Sequence, residues 1–412
     1  MDMWWYTFFS ILMVPGSVFT KNTTYDTHKL PSGTAQKQRN SNLELYRILT
    51  MLLIIAHHYV VNSGLTGVDG PILNNLMAKR SLFLLMFGAF GKTGINCFVL
   101  ITGYFMCKSQ ITARKFVKLL GEVLFYGFLF NLIFWCSGYE PVTLKGLLLG
   151  VFPITSVAQN FTGCYLLFFL CIPFLNMLLR CLSQLQHLYL LAIFGFMYIL
   201  MGTVPFFYVS MNYVSWFAVL YFIAAYIRLY PVKIFERTAI WGVLTLLFIV
   251  LSLASVLAGA WISPQMGQSV YYTFVSDSNT MLAVLTGISS FLFFKNLKMP
   301  YSRFINTVSG TTFGVLLIHA ANDAMRRWLW RDVLNNVGMY SSRYMPLHAI
   351  GSVLAIFVIC SILDLLRIRF VEKPFLRLWD RHSDDIMGWY LSMEKKFCEK
   401  FHISSQCPGD DK

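Results

Sequence analysis

Apolar residues run along this chain in blocks broken by short polar stretches. The blocks fall at residues 43–62, 83–106, 116–136, 161–179, 188–208, 212–230, 238–261, 277–294, 307–321 and 346–369. Most are roughly 18 to 24 residues long, enough for a helix to cross a hydrocarbon core of about 30 Å. Backbone polar groups in lipid are satisfied only within helices or closed barrels. A barrel would alternate apolar and polar positions with period 2, and these blocks do not. The pattern predicts an all-α, polytopic membrane bundle of about ten transmembrane helices. No internal repeat is visible, which weighs against an inverted-repeat transporter.

Composition agrees. Of 412 residues, 57% are hydrophobic and 13% charged, where a soluble domain would be about one quarter charged. Mean hydropathy is +0.60. The chain therefore reads as a membrane protein throughout, not as a globular enzyme with an anchor. A net charge of +14 would raise nucleic acid as a partner in a soluble protein. Here Lys and Arg gathering in cytoplasmic loops accounts for it, no aromatic-basic RNA motif competes, and no nucleic-acid partner is expected. The nine cysteines are scattered, without Cys-x-x-Cys or a Cys/His metal spacing. Neither a disulfide framework nor a metal site is expected.

Three regions follow: an N-terminal extension over 1–39, a membrane domain over 40–370 and a basic cytoplasmic tail over 371–412. The opening stretch "MDMWWYTFFSILMVPGSVFT" is apolar, but it carries Asp2 and no Lys or Arg, so it fits a secretory signal poorly. It reads equally as a peripheral or extra span and as an over-called start. The sequons at Asn22 and Asn160 matter only in a secretory pathway that glycosylates.

Charge tests the topology. With residue 40 in the cytoplasm, the inner segments are the N-terminal stretch, 107–115, 180–187, 231–237, 295–306 and the tail from 370. Eight of the 33 basic residues then fall outside, leaving 25 inside: Lys79, Arg80, Lys92, Lys145, Arg326, Arg327, Arg331 and Arg343 are the outer ones. That distribution follows the positive-inside rule and puts both ends of the bundle in the cytoplasm. The outer loop 322–345 breaks the trend, with four arginines beside Trp328 and Trp330. An amphipathic interfacial helix with snorkelling arginines is one reading. A site for an anionic or sugar-bearing acceptor, involving Arg326, Arg327 and Trp330, is the other, since Arg suits phosphate and carboxylate.

The first block holds the densest chemistry. "NSNLELYRILTMLLIIAHH" carries Glu44, Arg47, His57 and His58. Arg47 and His58 are eleven positions apart, which is three helical turns plus about 20° and about 16 Å along the axis. They share a face. Glu44 is placed to pair with Arg47, Asn62 continues the stripe, and His57 points about 100° away. Ionisable groups in lipid cost several kcal/mol unless they face protein or water. The stripe is therefore expected to line a polar cavity through the bundle. A neutral imidazole is the usual general base near pH 7, and an arginine near the cytoplasmic mouth suits a phosphate. Together they suggest a phosphorylated donor entering from inside and a proton abstracted deeper in. For either histidine alone, a structural hydrogen bond to a neighbouring helix is the competing account.

These residues resemble the opening helix of the acyltransferase-3 family of bacterial membrane O-acyltransferases, whose signature is Arg (or Lys)-x10-His; Arg47 and His58 match it. "GKTGINCFVLITGYFMCKS" (91–109) is similar to the family's second-helix pattern. "TVSGTTFGVLLIHAANDAMRRWLW" (307–330) resembles the late-helix segment of the exopolysaccharide acetyltransferase branch, with Leu316 where Tyr is usual and His319 keeping the histidine. "RFVEKPFLRLW" (369–379) resembles the closing Glu-Lys-Pro. The four segments occur in order and cover about residues 40 to 380.

The resemblance implies transfer of an acetyl group from cytoplasmic acetyl-CoA to a sugar hydroxyl of a surface glycan or its lipid-linked precursor. The chain would then sit in the bacterial cytoplasmic (inner) membrane, surrounded by lipid. His58 would be the catalytic histidine and Arg47 its charged partner, in contact with CoA. Arg114 and Lys115 would hold CoA phosphates, unless they simply mark a basic helix end, and His319 would be a second cavity residue on the acceptor side. Some members use a late acidic residue; Asp277, Asp364 and Glu372 do not align to it securely. No esterase-like domain follows the bundle, so a separate extracytoplasmic partner is an expectation. Rival readings are a transporter or polymerase of lipid-linked glycans, a non-glycan acyltransferase, and an ion-coupled transporter. The last would want paired intramembrane acids; Glu122, four residues past Lys118, reads instead as a helix-end pair. Asn131 has no assigned role.

Overall fold

Each apolar block contains helix in the computed structural model, which describes residues 40–401 except 145, 147, 149–160, 205, 206, 208 and 210. The readings of residues 1–39 with the Asn22 sequon, of Lys145, of Asn160 and of the tail beyond 401 fall outside the described residues. The helices are α1 (Ser41–Val61), α2 (Lys79–Phe87), α3 (Gly91–Met106), α4 (Ala113–Cys136), α5 (Phe161–Cys181), α6 (Gln184–Phe194), α7 (Tyr213–Leu229), α8 (Thr238–Met266), α9 (Met281–Asn296), α10 (Arg303–Ser309), α11 (Thr312–His319), α12 (Asp323–Arg327), α13 (Met345–Arg367) and α14 (Lys373–Phe401). Among the described residues seven helical stretches are long and apolar enough to cross a membrane alone. The protein is an all-α, multi-pass membrane protein.

Three predicted spans take a different form. α7 and α9 hold only 17 and 16 residues. The block at 277–294 opens with Asp277, Ser278, Asn279 and Thr280, and Thr280 bonds back to the Asp277 carbonyl through both its amide (3.2 Å) and its hydroxyl (2.8 Å). That turn delays the helix to Met281. The predicted span 307–321 is part of a broken one: the stretch Arg303–His319 meets Asp323–Met339 at 91°. Asn322 makes the corner, its side chain accepting from the Met325 amide as an N-cap. The arginine-rich outer loop is thus largely helical and lies across the direction of the spans.

α3 is the hub, packing against α1, α7 and α9. Small residues permit the close approach: Gly94 faces Ile54 and the Thr50 carbonyl, and Gly103 faces Tyr221 and Ala224. Asn96 is fully buried there and satisfied from both sides, donating to the Ser278 carbonyl at 2.6 Å and accepting from Trp216 Nε1 at 2.9 Å. The periphery is apolar as lipid requires: Val243, Leu246 and Val250 of α8 and Leu354, Val358 and Ile362 of α13 are exposed.

Side-chain contacts sort the helix ends into two groups. Asn42 donates to the carbonyls of Phe294, Lys295 and Leu297, Arg228 bonds Tyr104 and Arg114 bonds Asp380. These gather residues 40, 107–115, 295–306 and the tail at one end. Lys92 meets Tyr213, Asn131 meets Asn322 and Ser81 meets Tyr340 at the other. This is the alternation expected from the charges, and the positive-inside rule makes the first end cytoplasmic. The tail forms one long helix, α14, following α13 through a π-helical turn, Ile368–Glu372.

Candidate active site

The outer half of α1 opens on a cavity of about 840 Å³. α1 contributes His57, His58 and Asn62, α3 Lys92, α4 Asn131, and the outer loop Arg326 and Arg327. The contacts that place Lys92 and Asn131 at the outer end place the cavity there too.

A chain of hydrogen bonds sets the state of His58. His319 Nδ1 lies 2.6 Å from the Val315 carbonyl oxygen. A carbonyl only accepts, so His319 carries its proton on Nδ1, and in the neutral ring Nε2 is an acceptor. His58 Nδ1 lies 2.9 Å from that Nε2 and must be the donor. The His58 Nε2 keeps its lone pair. These tautomers are assigned from the hydrogen-bond network. His57 repeats the logic: its Nδ1 donates to the Gly88 carbonyl at 2.7 Å, which leaves its own Nε2 as an acceptor. Gly91 makes room for it, since a Cβ there would overlap the His57 ring.

The stripe of polar residues on α1 divides in two. Glu44 pairs with Arg47 at 3.6 Å as its spacing predicts, and Ser309 of α10 donates to the same carboxylate. The Arg47 guanidinium stands 5.7 Å from the centre of the Phe98 ring, and its Nε is buried without a hydrogen-bond partner. Arg47 is not among the residues lining the outer cavity. The outer cavity therefore covers only the outer part of the stripe, and α10 and α3 pack against the inner part. His57, expected to point away, lines the cavity because the space wraps around α1.

Other predicted residues are scattered. Arg114 makes two bonds to Asp380, at 2.7 and 3.1 Å, and Lys115 donates to Ser109 Oγ and the Gln110 carbonyl. Both lie at the cytoplasmic end, away from the cavity. His319 is buried behind His58 and reaches the cavity only through it. Trp330 is wholly buried, with its ring edge-on to Tyr59 and His319. It is a packing support for His319 and does not line the cavity.

The sequence reading missed a buried ionic cluster beneath the cavity. Arg367 of α13, 4% exposed, bonds Asp364 at 2.7 Å, Glu372 at 2.9 Å and Glu122 at 3.0 Å. Tyr126, which lines the cavity, donates to Asp364 at 2.8 Å. Lys118 pairs with Glu372 at 2.7 Å, so the expected Lys118–Glu122 pair is replaced by two pairs to α13 and the turn after it. The available signal was ionisable residues within apolar blocks on two helices, which in lipid must face one another. Asn131 finds its role here too, accepting from Asn322 Nδ2 at 2.8 Å and fixing the corner of the broken span.

Residues 40–365 match a family model described as an acyltransferase domain. No curated protein and no solved structure gives a significant match.

Proposed function

The chain belongs to the acyltransferase-3 family, and on that premise we propose that it moves an acetyl group from cytoplasmic acetyl-CoA to a sugar hydroxyl of a cell-surface polysaccharide or its lipid-linked precursor, in the bacterial inner membrane. The observation that carries this reading is the bare Nε2 of His58 on an outward-facing polar cavity, with its tautomer fixed from behind by His319.

In the proposed reaction the acceptor hydroxyl gives its proton to His58 Nε2 as its oxygen attacks the thioester carbon. The C–S bond breaks, and the CoA thiolate takes the proton from the imidazolium. The ester and CoA leave with atoms and charge balanced. His319 supports the transient cation by keeping its Nε2 lone pair on the His58 Nδ1–H. Arg47, with an unused Nε in the inner half of the same helix, suits the phosphates of a donor entering from the cytoplasm. Arg114 and Lys115 lie at the cytoplasmic entrance and are secondary contacts for them. Arg326 and Arg327 face the acceptor.

The test uses membranes holding wild type or His58→Ala, given acetyl-CoA labelled in the acetyl group. Wild type should release CoA and label glycan, and the variant should do neither at equal protein level. Well-folded wild type that consumes no acetyl-CoA with native glycan present would overturn the reading in favour of a glycan transporter. Label held on the protein before acceptor is added would replace direct transfer with an acetyl-His58 intermediate.

A further inference from the structure

The outer cavity carries more positive charge than topology favours. Basic residues are disfavoured on the outer side of a membrane protein, yet three of the eight expected there, Lys92, Arg326 and Arg327, line this one cavity. They come from two elements far apart in sequence, α3 and the outer loop.

Two of the three ion pairs at the cavity place the cation deeper than its carboxylate. Lys92 pairs with Asp277 at 3.5 Å, and their side chains are 25% and 53% exposed. Arg326 pairs with Asp323 at 3.1 Å, at 43% and 82%. In both pairs the cation is the inner partner and the carboxylate stands outside it. In the third pair, Arg327 with Glu140, the order is reversed, at 48% and 30%; Glu140 and Asp323 line the cavity together with the three cations. Lys92 Nζ is also steadied by the Tyr213 hydroxyl at 2.8 Å. Arg326 Nε is buried with no hydrogen-bond partner. Exposed ion pairs contribute little net energy, so a carboxylate on a ligand can replace Asp277 or Asp323 at small cost.

We propose that the acceptor bears an anionic group, a carboxylate or a phosphate close to the hydroxyl that is acylated, and that Lys92 and Arg326 hold it beside His57 and His58. This rests on the acyl-transfer reading for the role of the bound molecule but not for its binding. Lys92 and Arg326 are then specificity-determining residues: they select a charged sugar over its neutral counterpart, and the two imidazole Nε2 atoms accept from the ring hydroxyls.

The experiment uses three probes that differ only at C6: methyl glucoside, methyl glucuronoside and methyl glucoside 6-phosphate. Binding to the purified full chain is followed by tryptophan fluorescence, since Trp135 lines the cavity, and acetyl transfer from acetyl-CoA is followed separately. At least one anionic probe should bind about tenfold more tightly than the neutral sugar, and which one does names the anion. Lys92→Gln and Arg326→Gln should each bring the ratio towards one, with the loss in KM for the acceptor. Arg343→Gln, an outer arginine away from the cavity, should leave the ratio unchanged. Equal binding of all three probes by wild type, or a preference that survives both cavity substitutions, overturns the proposal. Charge-selective binding without any CoA release would support the anion site while sinking the acyl-transfer reading.

Discussion

His319 holds His58 through a single hydrogen bond, Nε2 to Nδ1 at 2.9 Å, and is itself held by the Val315 carbonyl at 2.6 Å. A main-chain oxygen on α11 thereby decides which nitrogen of a histidine on α1 carries the proton and which keeps its lone pair. The arrangement uses the same logic as a carboxylate that orients a catalytic histidine, with a neutral ring in place of the carboxylate.

Replacing His319 separates orientation from bulk. His319→Gln can keep an acceptor for the His58 Nδ1–H, whereas His319→Leu leaves that donor unpaired and the tautomer free. The Leu variant should lose about 10²-fold or more in kcat with little change in KM for acetyl-CoA, and the Gln variant should recover part of it. Steady-state kinetics on labelled acetyl-CoA decides this; a Leu variant as fast as wild type would show that the pair does not orient the base.

Arg47 should act on donor binding. Arg47→Gln removes charge-assisted hydrogen bonds worth about 1.5–3 kcal/mol, a rise of roughly ten- to a hundredfold in KM for acetyl-CoA, while kcat at saturating donor falls less. Titration of CoA release against acetyl-CoA measures the split. An unchanged KM would remove Arg47 from the donor site.

The Arg367 cluster should dominate stability. Arg367→Leu leaves buried Glu122 and Asp364 without a cation, while Glu372 keeps Lys118, and should destabilise the fold by about 3–5 kcal/mol. Lys118→Ala, whose partner keeps Arg367 and whose own side chain is half exposed, should cost no more than about 1 kcal/mol. Denaturation of the detergent-purified protein compares them, and equal losses would contradict this account of the network.

Two glycines should resist a methyl group. A Cβ at Gly91 would overlap the His57 ring, and one at Gly314 would overlap the Asp364 carboxylate. Overpacking costs about 1–3 kcal/mol. Gly91→Ala should also lower activity by moving the wall beside His58, whereas Gly351→Ala, with nothing near its Cβ position, should be silent in both thermal unfolding and turnover.

Much of this was readable from residues alone. That the apolar blocks are helical follows from hydropathy, because in lipid the solvent itself dictates which segments are helices; of the ten passes expected, seven are long and apolar enough to span alone among the described residues, two are shorter helices and one is a broken span. The pairing of ends follows from where Lys and Arg lie. The shared face of Arg47 and His58 follows from helical period, and Glu44 pairs as its spacing requires. What could not be read was which helix stands beside which. His319 appeared as an acceptor contact because its separation from His58 in sequence hides that the rings touch. Glu122 was given to Lys118 because the nearer partner in sequence is the only one a single helix offers; Arg367 arrives from another helix. Trp330 suited a sugar by type, and only packing shows its faces covered. The bend at Asn322 was invisible because an N-cap and a loop asparagine look alike without their neighbours.

The separation of Arg47 from His58 along α1 works as a ruler. The two are eleven residues apart on one helix, about 16 Å of rise, with no freedom to shorten. A donor gripped at Arg47 must be long and slender enough to thread that distance between α1 and its neighbours before its acyl carbon comes near the outer imidazole. Small activated acyl compounds cannot span both points at once. On the proposal that Arg47 grips the donor, the rigidity of a single helix sets a minimum length for the carrier, independently of any pocket shaped to recognise its head.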